Sequence, residues 1–306
     1  MTNYEEEPLG EATRQQLLAS TTEFNVGSTV RALQDFAKPF LCWEVCCRAN
    51  SLLTSTLQRE GLAADRKTLD TGYDLDKKDH IQRLEEEAWE RTPSKAWFSL
   101  VCTAVTLIQN LNQRDYKQVE DLRKKRQKCR KQLRGAIAII WAILQASSGA
   151  SHFYFEWPKN AYQGWQLPEM RLFIQQFEKI YGKLYFVQID GCMHGMVSPD
   201  QWPIQKSWQI MTNDKEFADR CYLKCDGSHQ HRPGGMVGMG SSAVHQTGFY
   251  PPSMVNAIVK CWKSQLHRGN HFNMKEISMS RSRSPTKLLR MTRSQSRMQL
   301  LRISRS

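Results

Sequence analysis

Two short apolar and aromatic segments of the chain each end abruptly in a carboxylate and a turn-forming residue. The first, His152–Pro158, ends in Glu-Trp-Pro, and the second, Leu184–Cys192, ends in Asp-Gly-Cys. Aromatic and β-branched residues favour a buried, pleated surface, so both segments are predicted to be core strands. Ligands of open α/β sheets bind beyond the carboxyl ends of the strands, which makes Glu156 and Asp190 candidates for a functional site. The alternative is that these carboxylates are ordinary loop residues in contact with water.

Helical patterns separate the strand candidates. Apolar residues recur every three or four positions through Arg114–Gln145, so one side of a long helix is predicted to face a core while its basic side faces solvent. Further helices are predicted at Asp79–Arg91, Pro168–Ile180 and Pro251–Gln265. The predicted strands are Phe40–Glu44, Ala96–Val101, Phe153–Glu156 and Tyr185–Ile189, with a weaker one at Thr68–Asp74. This alternation indicates an α/β fold, a mainly parallel sheet with helices on both faces.

Composition divides the chain into four regions. Residues 1–37 are predicted to form a helical extension, and residues 38–192 the α/β domain. Residues 193–266 are rich in Gly, Pro, Cys and His and are expected to be a loop-built region that completes this domain. Residues 267–306 contain repeated Arg-Ser pairs and few apolar residues, so a disordered tail is expected.

The sequence favours an intracellular, nuclear protein. No window approaches the roughly 18 uninterrupted apolar residues that a bilayer-spanning helix requires, so no membrane association is expected. The first residues are acidic and lack an apolar signal segment. Nine cysteines at irregular spacing are typical of reduced thiols, not of a disulfide framework.

Basic charge is concentrated in two places. The chain carries a formal net charge of +13, and residues 275–306 alone hold nine Lys or Arg and one Glu. A second basic block lies at Arg123–Arg134. Such clusters predict a polyanionic partner, first DNA or RNA, although a solvated helix face and a solubilising tail would look the same. The tail could also bind protein partners. The candidate phosphate contacts are Lys124, Lys125, Lys128, Lys131, Lys206, Arg281, Arg283, Arg290 and Arg293.

A metal site is predicted in the Cys- and His-containing region. Four zinc-type ligands fall within eleven residues, enough for a tetrahedral site. The predicted ligands are Cys221, Cys225, His229 and His231, with His194 and His245 as possible substitutes. The His-x-His spacing is shorter than that of a usual zinc finger, and the alternative is a set of polar loop residues.

The order of several residues resembles the class I S-adenosylmethionine-dependent methyltransferase fold, and more narrowly the cytosine-5 DNA methyltransferases. Glu44 ends the first predicted strand and Asp70 the second, Cys102 follows the next, and Glu156 ends the one after. In that family a Pro-Cys supplies the nucleophile that attacks cytosine, and a Glu-Asn-Val supplies the carboxylate that holds the base. This chain has Ser-Leu-Val-Cys and Phe-Glu-Trp-Pro at the corresponding places.

The stretch that begins at Cys102, with Thr103, Thr106 and Gln109-Asn-Leu-Asn and a long helix after it, also resembles degenerate methyltransferase-like domains carried by retroelement polyproteins. The resemblance covers roughly Pro39–Trp262. It implies a Rossmann-like domain in which Cys102 and Glu156 are catalytic. Glu44 and Asp70 would then hold S-adenosylmethionine.

The chain departs from the family in the turn after the first strand. Residues 44–50 contain no glycine, and a side chain there would crowd a cofactor. We therefore expect a nucleic-acid-associated protein with a degenerate methyltransferase-like domain of mobile-element origin. Two alternatives stay open: an active DNA cytosine-5 methyltransferase, and a zinc-containing interaction module with an RNA-binding Arg/Ser tail.

Overall fold

The computed structural model describes residues 40–106, 115–233, 239–240 and 246–280, with side chains up to residue 267. The predicted N-terminal extension and the tail residues Arg281, Arg283, Arg290 and Arg293 lie outside the described residues. The chain divides into two compact units, Met1–Leu266 and His267–Ser306. The sheet and both candidate sites belong to the first unit.

A six-stranded mixed sheet forms the centre of this unit, in the order β2-β1-β3-β4-β6-β5. Its strands are β1 (Leu41–Val45), β2 (Ala63–Lys67), β3 (Lys95–Ser99), β4 (His152–Pro158), β5 (Tyr185–Asp190) and β6 (Ser207–Thr212). Strands β2, β1, β3 and β4 pair in parallel, whereas β6 is antiparallel to both β4 and β5. Five strands therefore run in one direction and place their carboxyl ends at one edge of the sheet, which we call the carboxyl edge.

Seven helices of the described chain connect these strands. They are α1 (Leu52–Arg59), α2 (Lys78–Arg91), α3 (Tyr116–Ala146), α4 (Tyr162–Trp165), α5 (Pro168–Tyr181), α6 (Lys215–Cys221) and α7 (Pro252–Ser280). The hydroxyl of Ser51 accepts a hydrogen bond from the backbone N–H of Leu53 and so caps α1, and Asp115 caps α3 through Gln118 in the same way. None of the described helices has the length and apolar character needed to cross a membrane.

The central strands β1, β3 and β4 are buried on both faces, and successive side chains enter two different hydrophobic clusters. Trp43, Phe98 and Phe155 belong to one cluster, together with residues of α2, α3 and α5. Their chain neighbours Cys42, Trp97 and Tyr154 belong to the other, together with residues of α1, α6 and α7. This alternation follows from the two-residue period of a strand, and it explains why the strand segments read as continuous apolar runs.

The predicted α/β class is confirmed, and so is the core of each of the four main strands. One prediction for another segment was wrong. Thr68–Asp74 is not a strand: β2 precedes it, and Leu69–Thr71 forms a single 3₁₀ turn. In the described part of 193–266 the regular elements are β6, α6 and the start of α7, which includes all but the first residue of the predicted helix Pro251–Gln265. β2 is a polar edge strand, which gives little hydrophobic signal.

Candidate functional site

The carboxyl edge brings together several of the predicted site residues. Glu44, Glu156 and Asp190 lie at or near the ends of β1, β4 and β5, and Cys102 follows β3. Because β6 runs the opposite way, the residue before it, Lys206, reaches the same edge. The charges of Glu156 and Lys206 both act on the thiol of Cys102. The structure thus brings together the two residues predicted to be catalytic.

Glu156 is held inside the protein by neutral donors. The side chain is only 8% exposed. Its Oε2 accepts a 2.6 Å hydrogen bond from the hydroxyl of Tyr250, which lies 2.7 Å from the hydroxyl of Ser99. Burial raises the pKa of Glu156, although the hydrogen bond from Tyr250, the charge of Lys206 and a hydrogen bond from Ser99 oppose that rise. Sequence reasoning missed Tyr250 and Ser99, since neither stands in a distinctive motif.

The surroundings of Cys102 favour its neutral thiol form. Burial, followed by the negative charge of Glu156, raises the pKa of the Cys102 thiol to about 11, and the charge of Lys206 only partly opposes this. A thiolate, not a thiol, is the nucleophilic form of cysteine. At neutral pH the described surroundings therefore keep Cys102 protonated, which is the reverse of the lowered pKa that a catalytic role predicts.

Glu44 is occupied by the helix that follows it. One carboxylate oxygen accepts from the Ser51 hydroxyl at 2.5 Å, and the other accepts from the backbone N–H of Thr54 at 3.1 Å and from its hydroxyl at 2.6 Å. Glu44 is 1% exposed, and burial raises its pKa in spite of these donors. The carboxylate therefore stabilises the first turn of α1.

The turn between Glu44 and α1 adopts a conformation that favours glycine, without containing one. Cys46 has a φ of 60°, in the left-handed region. For a side chain other than Gly, Asn or Asp this conformation costs on the order of 1 kcal/mol. The second predicted cofactor residue, Asp70, is exposed in the 3₁₀ turn after β2. No hydrogen bond of the described chain links Asp70 to Glu44.

Lys206 is partly buried and already engaged. Its ammonium donates to the backbone carbonyl of Thr247 and lies 5.1 Å from the ring centre of Trp208. Burial lowers the pKa of Lys206, while the charges of Glu156 and Cys102 raise it and that of Arg48 lowers it further. This lysine is less available to a phosphate than its sequence position suggests.

The four predicted phosphate contacts on α3 are all exposed, but they differ in their partners. Lys128 forms an ion pair with Asp76 at 3.0 Å, and Lys124 lies 3.9 Å from Glu120. Lys125 and Lys131 have no acidic group within ion-pair distance in the described part of the chain. Ion pairing thus leaves two of the four lysines fully available to an external anion.

A cluster that can hold a metal ion lies just beyond the carboxyl end of β5. Its four ligand atoms all lie within 4.8 Å of one another. The cluster consists of Cys192, Cys225, His229 and His231. His231 Nε2 lies 3.4 Å from both sulfur atoms, and His229 Nε2 lies 3.7 Å from the Cys225 sulfur. Three of the four predicted ligands are therefore brought together.

The fourth predicted ligand, Cys221, is not in this cluster. It is the buried last residue of α6, and its thiol interacts with that of Cys261 on α7. Cys192, at the 3₁₀ turn after β5, takes its place. A helix end with a buried side chain cannot also supply a ligand to the exposed loop that follows it, and the sequence spacing alone did not reveal this. His194 is also elsewhere, with its ring near Ser253 of α7, and His245 lies outside the described residues.

Asp190, the last residue of β5, is hydrogen-bonded to the loop of the metal cluster. Its carboxylate accepts a 2.7 Å hydrogen bond from the backbone N–H of Cys225. Burial alone would raise the pKa of Asp190, but hydrogen bonds from Ser207, Cys225 and Gln188 and the charge of Lys159 outweigh burial and lower it. Asp190 therefore stays ionised and orients the loop that carries three of the cluster residues.

Comparison with known proteins adds no relative: no protein-family model, curated protein or solved structure matches this chain.

Proposed function

We propose that this is a nucleic-acid-associated protein whose core is a methyltransferase-like domain of the degenerate kind carried by mobile elements, without methyl-transfer activity. One observation carries the proposal: Cys102 and Glu156, the residues at which the chain resembles cytosine-5 DNA methyltransferases, interact at the carboxyl edge. The resemblance requires this, because one residue would attack the base that the other holds. On this proposal the sheet is a Rossmann-like methyltransferase sheet with β6 as its antiparallel strand.

The loss of activity is inferred from the same edge. The carboxylate of Glu44 is filled by donors from Ser51 and Thr54, so it offers nothing to a cofactor. The Cys102 thiol is protonated at neutral pH because its pKa is raised to about 11. A fold can persist after its chemistry has been lost.

Two measurements test for methyl transfer. The purified protein is titrated with S-adenosylmethionine by calorimetry, and it is incubated with cytosine-containing DNA and a methyl-labelled donor, with an active cytosine-5 enzyme as positive control. We expect neither saturable binding nor transfer. Saturable binding together with transfer that is abolished by Cys102→Ser would overturn this part of the proposal and establish the active enzyme.

Nucleic-acid binding is expected to depend on the unpaired lysines of α3. Each phosphate contact contributes a slope of about 0.7 to 0.9 log units of affinity per log unit of salt. The variant Lys125→Gln/Lys131→Gln should therefore lower the slope by about 1.5. The matched control is Lys124→Gln/Lys128→Gln, which removes the same charge from lysines with internal acidic partners and should lower the slope less. Equal slopes for wild type and the first variant would remove α3 from the interface.

The tail is expected to make the larger electrostatic contribution. Removal of residues 275–306 takes away nine cations and one anion. If half of these cations contact phosphates, the salt slope should fall by about 3 or more. Affinity measured at several salt concentrations, for full-length and truncated protein on single- and double-stranded DNA and RNA, checks this. A slope unchanged by truncation would assign the tail to protein partners or to localisation.

A zinc-containing interaction module with an RNA-binding tail is the second candidate function. The cluster of Cys192, Cys225, His229 and His231 favours it, because two thiols and two imidazoles form a common zinc ligand set. The two candidates differ in the nucleic acid expected: RNA should outcompete DNA at equal salt only for the second. Both are compatible with bound zinc.

A further inference from the structure

The segment that carries three of the cluster residues has no core of its own. Not one of residues 222–233 is buried, although the strand and helix before it, β6 and α6, are anchored by buried Trp208 and Phe217. A segment that buries little apolar surface does not offset the conformational entropy of its ordering through hydrophobic contacts. Something else must therefore hold residues 222–233 in one arrangement.

Few backbone contacts link this segment to the rest of the fold. Leu223 pairs with the edge strand β5, the N–H of Cys225 bonds to Asp190, and the N–H of Arg232 bonds to the carbonyl of Pro203. Between Cys225 and Arg232 the hydrogen bonds described for backbone N–H groups are local: Gly227 donates to the Cys225 sulfur and Ser228 to Asp226. The two histidines lie in this locally bonded stretch.

The geometry of the cluster fits a closed tetrahedral zinc site. Zinc–sulfur bonds of about 2.3 Å and zinc–nitrogen bonds of about 2.0 to 2.1 Å place sulfur and nitrogen ligands about 3.5 Å apart at a tetrahedral angle. Three of the four sulfur–nitrogen separations are 3.4, 3.4 and 3.7 Å, and no two of the four ligand atoms are more than 4.8 Å apart. Four protein ligands leave no open coordination position, which is typical of structural and not of catalytic zinc.

The surroundings also suit a metal ligand. The N–H of Gly227 lies 3.4 Å from the Cys225 sulfur and donates to it, a contact that stabilises a thiolate. Gly227 has a φ of +77°, so a glycine is required for this N–H to turn back. On the other side, Asp190 holds the backbone N–H of Cys225. The loop is therefore shaped around the sulfur of Cys225.

We propose that a structural Zn²⁺ ion, bound by Cys192, Cys225, His229 and His231, is the staple that holds residues 222–233 to the turn after β5. This rests on the zinc binding given above for the second candidate function, and it adds the role of the ion. Gly191 extends the effect, since its N–H bonds to the carbonyl of Lys206 and its own carbonyl accepts from Met196. The ion thereby orders one end of the carboxyl edge.

Zinc content tests the ligand set. The full-length protein, purified without added metal or chelator, should contain about one zinc per chain by elemental analysis. Cys192→Ala should lose it, whereas the matched control Cys221→Ala should retain it, because Cys221 lies against Cys261 instead. If Cys192→Ala does not fold, His229→Asn and the absorption spectrum of the Co²⁺-substituted wild type, which reports tetrahedral thiolate coordination, give the same information. Zinc absent from the wild type would overturn both the binding and the staple.

Limited proteolysis tests the role of the ion separately. Trypsin cleavage after Lys224, inside the stapled segment, should accelerate at least tenfold when a chelator removes the zinc, and zinc added back should reverse the change. Cleavage after the exposed Lys183, before β5, is the internal control and should not change. If the rate of cleavage after Lys224 does not change on zinc removal, zinc binding is retained but its role as the staple is overturned. Thiol titration of the chelated, unfolded protein should find all nine cysteines free. If two thiols fail to react, a disulfide and not the ion holds the segment.

Discussion

The two edges of the sheet both bury ionisable groups, but they compensate for burial in opposite ways. The amino edge is the one opposite the carboxyl edge, where β3 begins and β6 ends. There Lys95 and Asp214 form a buried ion pair at 3.1 Å. Asp214 also accepts from the hydroxyl of Tyr154 at 2.6 Å, and Gln265 bonds to both members of the pair. At the carboxyl edge, Glu44 and Glu156 are bound by hydroxyl and amide donors and form no ion pair in the described chain.

This difference sets the direction of each pKa. Burial would raise the pKa of Asp214, but the charge of Lys95 and other nearby groups bring it well below its usual range. Burial, together with the charge of Lys95, lowers the pKa of the adjacent His152 to about 4, although the charge of Asp214 opposes the shift. With only neutral hydrogen-bond donors, burial prevails at Glu44 and Glu156, and both pKa values are raised. The amino edge is thus an ion-paired network, whereas at the carboxyl edge the pKa values of Glu44 and Glu156 are raised and only that of Asp190 is lowered.

The largest expected effect comes from breaking the buried pair. Lys95→Met leaves the charge of Asp214 without its cation, and Asp214→Asn leaves Lys95 without its anion. Each should lower the free energy of unfolding by about 3 to 5 kcal/mol. The double variant should be destabilised by less than the sum of the two, since no unpaired charge remains. Urea denaturation of the four proteins measures this, and additive effects would show that the two side chains do not act as a pair.

The sequence predicted the two edges unequally. The strand ends at Glu44, Glu156 and Asp190 could be predicted from the sequence, because an apolar run that stops at a carboxylate marks where a buried strand ends. The pair of Lys95 and Asp214 joins residues far apart in the chain, so no local pattern reveals it. Likewise, the metal cluster was predicted from closely spaced residues, and the ligand it missed, Cys192, comes from a different strand end. Close spacing in the sequence identifies ligands that share one loop. A ligand from another part of the chain, such as Cys192, is identified only from the topology of the sheet.

A smaller effect is expected at Glu156, and it depends on pH. Because the folded pKa is raised, the proton on Glu156 stabilises the fold fully below the unfolded pKa of about 4.3, and this stabilisation is lost as the pH rises through the folded pKa. Glu156→Gln keeps the hydrogen-bonding shape without ionising. At pH 4 we expect the variant to lie within about 1 kcal/mol of the wild type. As the pH rises toward 8, its stability should improve relative to the wild type.

Urea denaturation of wild type and Glu156→Gln at a series of pH values checks this relation. The matched control is Glu60→Gln, an exposed residue whose pKa is lowered by a hydrogen bond and the charge of Lys263, so its relative stability should not improve as the pH rises. A difference between wild type and Glu156→Gln that stays constant from pH 4 to 8 would mean that Glu156 is compensated as fully as Asp214. The contrast between the two edges would then fail.

The smallest effect is a change in the reactivity of one thiol, and it measures the field at the carboxyl edge directly. Cys102 has a pKa raised to about 11, compared with about 8.5 for a free cysteine. Its alkylation at pH 7.4 should be more than tenfold slower than that of the same cysteine in unfolded protein, and the rate should still be rising at pH 10. Peptide-level mass spectrometry separates Cys102 from the other eight cysteines. Glu156→Gln removes the negative charge that helps to raise the pKa of Cys102, so alkylation of Cys102 should accelerate severalfold. Cys129 is the reference thiol, because the groups that raise its pKa do not include Glu156. An alkylation rate that levels off near pH 8.5 would mean that Cys102 is an ordinary or activated thiol, and the inference of an inactive site would lose its chemical basis.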